Sequence, residues 1–278
     1  MKSRWRRAGK SEGPRMEGFL RSREQYCVNA CAKFLQTHSL HDHEWYLADP
    51  KGAVQAMLLR SGGVLFPVFG TVRDIPPPRF LKKGLLGRTP IHAVQGLRGD
   101  TEILDAALVG YPAAEHRDYD LMALQSPPER ERPEDIPGLV LRKPGFTDLE
   151  AMLPLQTGYE KEEVLPKGAA FNPAWCRLNL SRIIAGEQTL IACMENRIVG
   201  KINTNAASFT RIQVGGVYVL PEYRGLGIGR RMTAVFVGEL IKQGRGLSLF
   251  VKKNNPAARA IYEGAGFSVV GDYRISYY

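Results

Sequence analysis

The sequence predicts an α+β fold on a mixed sheet, arranged as two domains, and three observations predict it. An apolar, β-type run from Arg211 to Val219 gives way at Pro221 to the turn Arg224-Gly225-Leu226-Gly227-Ile228-Gly229-Arg230, which opens a helical stretch, Met232 to Ile241. Further along, Leu247-Ser248-Leu249-Phe250-Val251 reads as another strand, and Asn255-Pro256 starts a helix that Gly266 stops. Between the halves, residues 125–138 (QSPPERERPEDIPG) combine four prolines with alternating charge and no apolar periodicity, which marks a linker.

Taken in order, residues 1–15 carry six Lys/Arg against one Glu and no periodicity, so they read as a basic disordered tail, with Met16 as an alternative start. The N-terminal domain, 16–124, offers a helix near Arg23–Gln36. Its apolar runs Val54–Leu59 and Val64–Phe69 are joined by Ser61-Gly62-Gly63, a hairpin signal. A short helix near Arg79–Leu85, a strand near Ile91–Leu97 and a helix near Glu102–Leu108 follow. In the C-terminal domain, 139–278, a strand at Leu139-Val140-Leu141 precedes a helix from Phe146 to Leu155, capped by Thr147 or Asp148. A second helix spans Asn172 to Ala185, a hairpin turns at Glu195-Asn196, and Val269 to Tyr278 closes with one or two strands.

Composition narrows the class. The chain has 278 residues, 44% hydrophobic and 24% charged, which is a globular profile with length for two domains. It has no apolar run of the ~18 residues that span a bilayer. The basic N-terminus has no apolar core behind it, so no secretory signal is expected. Cys27, Cys31, Cys176 and Cys193 lack C-x-x-C spacing and fit a reducing cytoplasm. Cys27 and Cys31, one helical turn apart, suit packing better than metal ligation. Much of the net charge of +10 falls on residues 139–278, as a domain that receives a polyanion requires. A nucleic-acid arm is not supported.

A strand, a glycine turn and a helix let the backbone approach a ligand closely and aim free N–H groups at it, an arrangement that binds phosphate. The dinucleotide and P-loop spacings both fail here; the pattern that fits is R-x-x-G-x-G, at Arg224, Gly227 and Gly229. It resembles motif A of the GCN5-related N-acetyltransferases (GNAT family). Asn255-Pro256-Ala257-Ala258 with Tyr262 and Gly266-Phe267 resembles motif B of the same family, in the expected order. The front half carries neither motif. It reads as a smaller, degenerate GNAT-like domain without a second cofactor site, as in bacterial family members with a divergent α/β domain ahead of the catalytic one.

The resemblance implies an acyl-coenzyme A N-acyltransferase fold and transfer of acetyl from acetyl-coenzyme A, a cosubstrate, directly to an amine in a ternary complex, with no metal. It implies cofactor contacts from Val217, Tyr218, Val219, Arg224, Gly225, Leu226, Gly227, Ile228, Gly229, Arg230 and Asn255. Tyr262 takes the place of the family's general acid, and a phenol is matched to a thiol in acidity; the same position also suits a packing residue. Gly215-Gly216 inside a strand suggests a bulge, or relief of crowding against a helix. Candidate substrate residues are Glu160, Glu163, Asn203, Asn205 and Gln213. His38, His41, His43, His92 and His116 all precede the linker, so the general base is not assigned, and His41-Asp42-His43-Glu44 reads as a solvated loop. The acceptor is a small-molecule or peptide amine; no nucleic acid and no membrane are expected, and a homodimer is compatible. The alternative is a non-catalytic acyl-coenzyme A sensor whose front domain meets a partner.

Overall fold

The computed structural model describes residues 4–36, 43–73, 90–125 and 134–278. The expected helix at Arg79–Leu85, and His38 and His41, lie outside these. In chain order the elements are β1 (Arg4–Arg7), α1 (Gly13–Arg21), α2 (Val28–Leu35), β2 (His43–Ala48), β3 (Val54–Ser61), β4 (Val64–Val68), β5 (Ala93–Leu97), α3 (Arg98–Ala107) and β6 (Glu115–Leu124). They continue with β7 (Leu139–Arg142), α4 (Leu149–Tyr159), a π turn (Glu160–Val164), α5 (Pro173–Gly186), β8 (Thr189–Met194), β9 (Arg197–Ala207) and β10 (Arg211–Val219). Last come α6 (Ile228–Ile241), β11 (Gly246–Lys252), α7 (Pro256–Gly264) and β12 (Ser268–Tyr277).

The chain forms two compact units, one made of 1–121, 208–211 and 270–278, the other of 122–207 and 212–269. The end of the chain, expected in the C-terminal domain, therefore belongs to the first unit. The reason is backbone pairing: Tyr273–Tyr277 of β12 run antiparallel to Ala93–Leu97 of β5.

In the first unit β1 to β4 are antiparallel neighbours and β4 meets β5 in parallel. Strand β3 is buried on both sides, with Ala56 and Leu58 in one core cluster and Met57 and Leu59 in another. That alternation is the period-two signature of a strand covered on both faces. The basic tail is a correction. Arg4–Arg7 pair with Ala48–Trp45, Trp5 packs edge-on against Phe69, and α1 buries Met16, Phe19 and Leu20. Spacing of i, i+3, i+4 is a helical stripe, which charge density concealed. His43 and Glu44 lie in β2 and not in a loop; His43 Nδ1 is 2.7 Å from Arg7 Nη2. Cys27 and Cys31 are buried, their sulfurs 3.6 Å apart.

In the second unit the strand order is β11-β10-β9-β8-β7. Helix α6 buries Ile228, Met232, Phe236, Val237 and Leu240, a single stripe, in one cluster with Ala192, Val199, Ile202, Leu247 and Leu249. Met152, Leu155 and Leu180 of α4 and α5 share a separate cluster with Ile191, Ile198 and Tyr218. Neighbouring residues such as Ile198 and Val199 thus serve opposite faces. The β8–β9 hairpin turns at Glu195 and Asn196, both at positive φ, as a two-residue primed turn demands.

Candidate functional site

The glycine turn builds one wall of a cleft. After β10 the chain makes a short 3₁₀ turn, Pro221–Tyr223, then passes through Gly225 and Gly227 at φ +80° and +78°. Gly227 is the N-cap of α6 and brings no side chain, so the first N–H groups of the helix face the turn without a side-chain cap. The cleft, about 480 Å³, is lined by Val217, Tyr218 and Val219 of β10, by Arg224, Gly225 and the stretch Gly227 to Arg230 of the turn, by Asn255, Ala257, Ala258 and Ile261 at α7, and by Glu162 and Glu163 from the π turn. Asn255 caps α7: its Oδ1 accepts from the Ala258 N–H at 3.1 Å, leaving its NH₂ as the group it can offer the cleft. Backbone donors, a helix N-terminus and Arg224 and Arg230, together with apolar lining from Val217, Val219, Ile228 and Ile261, fit a pyrophosphate with an extended arm.

The π turn sets three glutamates to different tasks. Its wider winding, closed by the Leu165 N–H donating to Glu160 O at 2.7 Å, turns Glu160 inward while Glu162 and Glu163 line the cleft. Glu162 accepts from the Tyr218 hydroxyl and from Arg224 Nη2 at 2.9 Å. Lys252 Nζ donates to the Glu162 carbonyl at 2.7 Å and lies 3.0 Å from the Glu163 carboxylate. Burial would raise the Glu162 pKa, but the Tyr218 and Arg224 bonds outweigh it and hold it low. Burial, then the Glu162 carboxylate, pushes Tyr218 up to about 12.

Beside the cleft strand lies a bulge. Gly215 pairs with Asn203 and Tyr218 with Lys201, so two residues of β10 stand against one of β9. The glycines relieve crowding from the neighbouring strand and not from a helix: a Cβ on Gly216 would lie 2.0 Å from Asn203 Oδ1. Lys201 is fully buried under this bulge and donates to Asn203 Oδ1 and to Gly216 O, each at 2.9 Å. Its Nζ stands 4.8 Å from the Tyr159 ring centroid. Burial lowers its pKa to about 7, against the opposing pull of Glu160 and Cys176.

Of the predicted residues, Val217, Tyr218, Val219, Arg224, Gly225, Gly227, Ile228, Gly229, Arg230, Asn255 and Glu163 come together in the cleft. Leu226 is exposed and does not line it. Tyr262 is buried, packed edge-to-face on Phe267, and also does not line it; burial, with Tyr159 and Glu163 nearby, raises its pKa. Glu160 accepts from Gln156 Nε2 at 2.8 Å and Asn179 Nδ2 at 3.1 Å, away from the cleft wall. Asn203 is buried with its NH₂ donating to Thr204 O and to Asn205 Oδ1, and Gln213 is buried in β10. Sequence reasoning missed Glu162 and Lys201. A lysine within the otherwise apolar run Ile198–Ile202 was the available signal.

The second unit is thus a mixed-sheet domain with a cleft suited to a pyrophosphate. Residues 152–267 match the model of the acetyltransferase (GNAT) family. A mycothiol acetyltransferase of Corynebacterium urealyticum is 44% identical over 62 residues, covering 21% of this chain and 18% of that protein, so the chain spans less than a fifth of the curated relative in the match. A Drosophila protein of known crystal structure is similar over 100% of this chain and 99% of its own, at TM-score 0.65 and 13% identity. A tandem GNAT protein from the clavulanic acid biosynthesis pathway covers 99% of this chain and 98% of its own, at TM-score 0.58 and 11% identity. At these identities the structures establish the fold of the whole chain. Among the described residues no helix is long and apolar enough to cross a membrane.

Proposed function

We propose that the second unit transfers an acetyl group from acetyl-coenzyme A directly to the amine of a small-molecule acceptor. The observation that carries this reading is the single cleft that gathers the turn, the β10 edge and Asn255. The glycine turn and Arg224 and Arg230 hold the pyrophosphate, and Asn255 orients the arm that follows it. The cosubstrate supplies a thioester, whose carbonyl a preorganised N–H of Val217 or Val219 polarises. Tyr262 returns a proton to the departing sulfur; burial raises its pKa, so it is a weaker proton donor than an exposed phenol. Glu163, at the cleft wall, attracts a cationic amine. A mycothiol acetyltransferase among the similar proteins supports a small-molecule acceptor. The first unit is a divergent copy with no cofactor motif.

A thiol-release assay with acetyl-coenzyme A over a panel of small amines and peptide N-termini tests this. Release with one amine class supports the reading. Binding of the cosubstrate without release on any amine would replace transfer with sensing.

A further inference from the structure

Resting on the acetyltransfer reading, we propose that Lys201 is a positioning residue: by holding the Gly216 carbonyl it fixes the Gly216–Val217 peptide so that the Val217 N–H is presented to the thioester oxygen.

A buried lysine is costly. An amine removed from water loses solvation that few contacts restore, and an apolar side chain of similar volume fills such a space without that loss. Lys201 is nevertheless fully buried, so its bonds explain its presence. They are specific. Nζ donates to Gly216 O and to Asn203 Oδ1, both at 2.9 Å, with the Tyr159 ring face, the Glu160 carboxylate and the Cys176 thiol as its other neighbours. Asn203 cannot turn its amide over, because its NH₂ is committed to Thr204 O and Asn205 Oδ1 at 2.8 and 2.9 Å. Lys201 is therefore anchored from its own strand and pulls on the next.

The peptide it pulls on is the one the bulge frees from regular pairing. Gly216 stands at φ +61°, inside the stretch where the β9–β10 register slips. A trans peptide is planar, with C=O and N–H antiparallel, so fixing the Gly216 carbonyl on Nζ fixes the Val217 N–H in the opposite direction. Val217 lines the cleft. A strong donor on the carbonyl oxygen also polarises the peptide and makes its N–H a better donor in turn. Orientation and polarisation are the two properties a donor to a developing oxyanion needs, and Lys201 serves both without touching the substrate.

The test is Lys201→Met in the full chain, a substitution that fills the space and removes the donor. The Kd for acetyl-coenzyme A and the acceptor KM stay within about threefold of wild type, while kcat falls about 100-fold, the loss typical of one oxyanion donor. Unchanged kcat in a folded Lys201→Met protein overturns the proposal, as does an affinity loss equal to the rate loss. A wild-type readout covers a Met variant that does not fold: on binding acetyl-coenzyme A, the Val217 amide proton resonance shifts downfield further than those of Gln213 and Val214. A Val217 resonance that does not move overturns the proposal by itself. Wild-type protein that binds acetyl-coenzyme A but transfers to no amine defeats the acetyltransfer reading, and this assignment with it.

Discussion

Replacing Gly216 by alanine probes the bulge where its geometry is tightest. Two costs add. An L-residue held at φ +61° pays about 1 kcal/mol in the left-handed region. The new Cβ would also lie 2.0 Å from Asn203 Oδ1, 2.6 Å from its Cγ and 2.9 Å from its Nδ2, so the whole carboxamide must move. That carboxamide accepts from Lys201 and donates to Thr204 O and Asn205 Oδ1, and three bonds at about 1 kcal/mol each are disturbed together. Gly216→Ala therefore destabilises by about 4 kcal/mol. Gly225→Ala is the control: φ is +80°, but no atom lies within 4 Å of its Cβ, so only the conformational cost of about 1 kcal/mol applies. Urea midpoints of the two variants, followed by fluorescence, measure the difference. Asn203→Ala introduced with Gly216→Ala removes the obstacle, so the double variant is less destabilised than the sum of the singles. If Gly216→Ala proves as mild as Gly225→Ala, the packing of Asn203 beneath the bulge is refuted.

Three further outcomes are expected. Tyr262→Phe lowers turnover at least tenfold with the acetyl-coenzyme A affinity nearly unchanged, read by steady-state kinetics beside a binding titration; unaltered turnover removes the proton-donor role. Glu162→Gln frees Arg224 from an exposed ion pair and takes a negative charge from the cleft, so acetyl-coenzyme A binds about two- to fivefold tighter at low salt, and weaker binding contradicts this. Stability also depends on Lys201. Its folded pKa, about 7, lies below the ordinary 10.5, so between pH 7 and 9 the unfolded chain keeps a proton that the folded chain has shed. Stability therefore rises with pH over that window by about 2 kcal/mol, a rise that Lys201→Met abolishes in urea titrations at the two pH values.

Much of the second unit was legible because its signals are local. Asn255 before Pro256, Gly266 after the helix and Glu195-Asn196 between two apolar runs each act through their own backbone, and each does so in the structure. The cleft was legible for the same reason, since its turn is contiguous in sequence. What was not legible depends on distant pairing. Arg4–Arg7 become a strand only because β2 lies beside them, and Val270–Tyr278 join the first unit only through β5. Lys201 and Glu162 were missed because their roles arise from tertiary partners, Gly216 and Arg224, that no local pattern announces. Strand β6 carries Glu115, His116, Arg117 and Asp118 before its buried end, so its apolar signal is confined to a few residues.

The measurement that bears most directly on the central claim is a calorimetric titration of the full chain and of Gly227→Glu with acetyl-coenzyme A. Gly227 forms the turn at φ +78° and lines the cleft, so glutamate there strains the backbone and sets a negative charge among the pyrophosphate donors. The account predicts saturable one-to-one binding by the wild-type protein and none by the variant. Heat of binding unchanged by the substitution, or no binding by the wild-type protein, would contradict it.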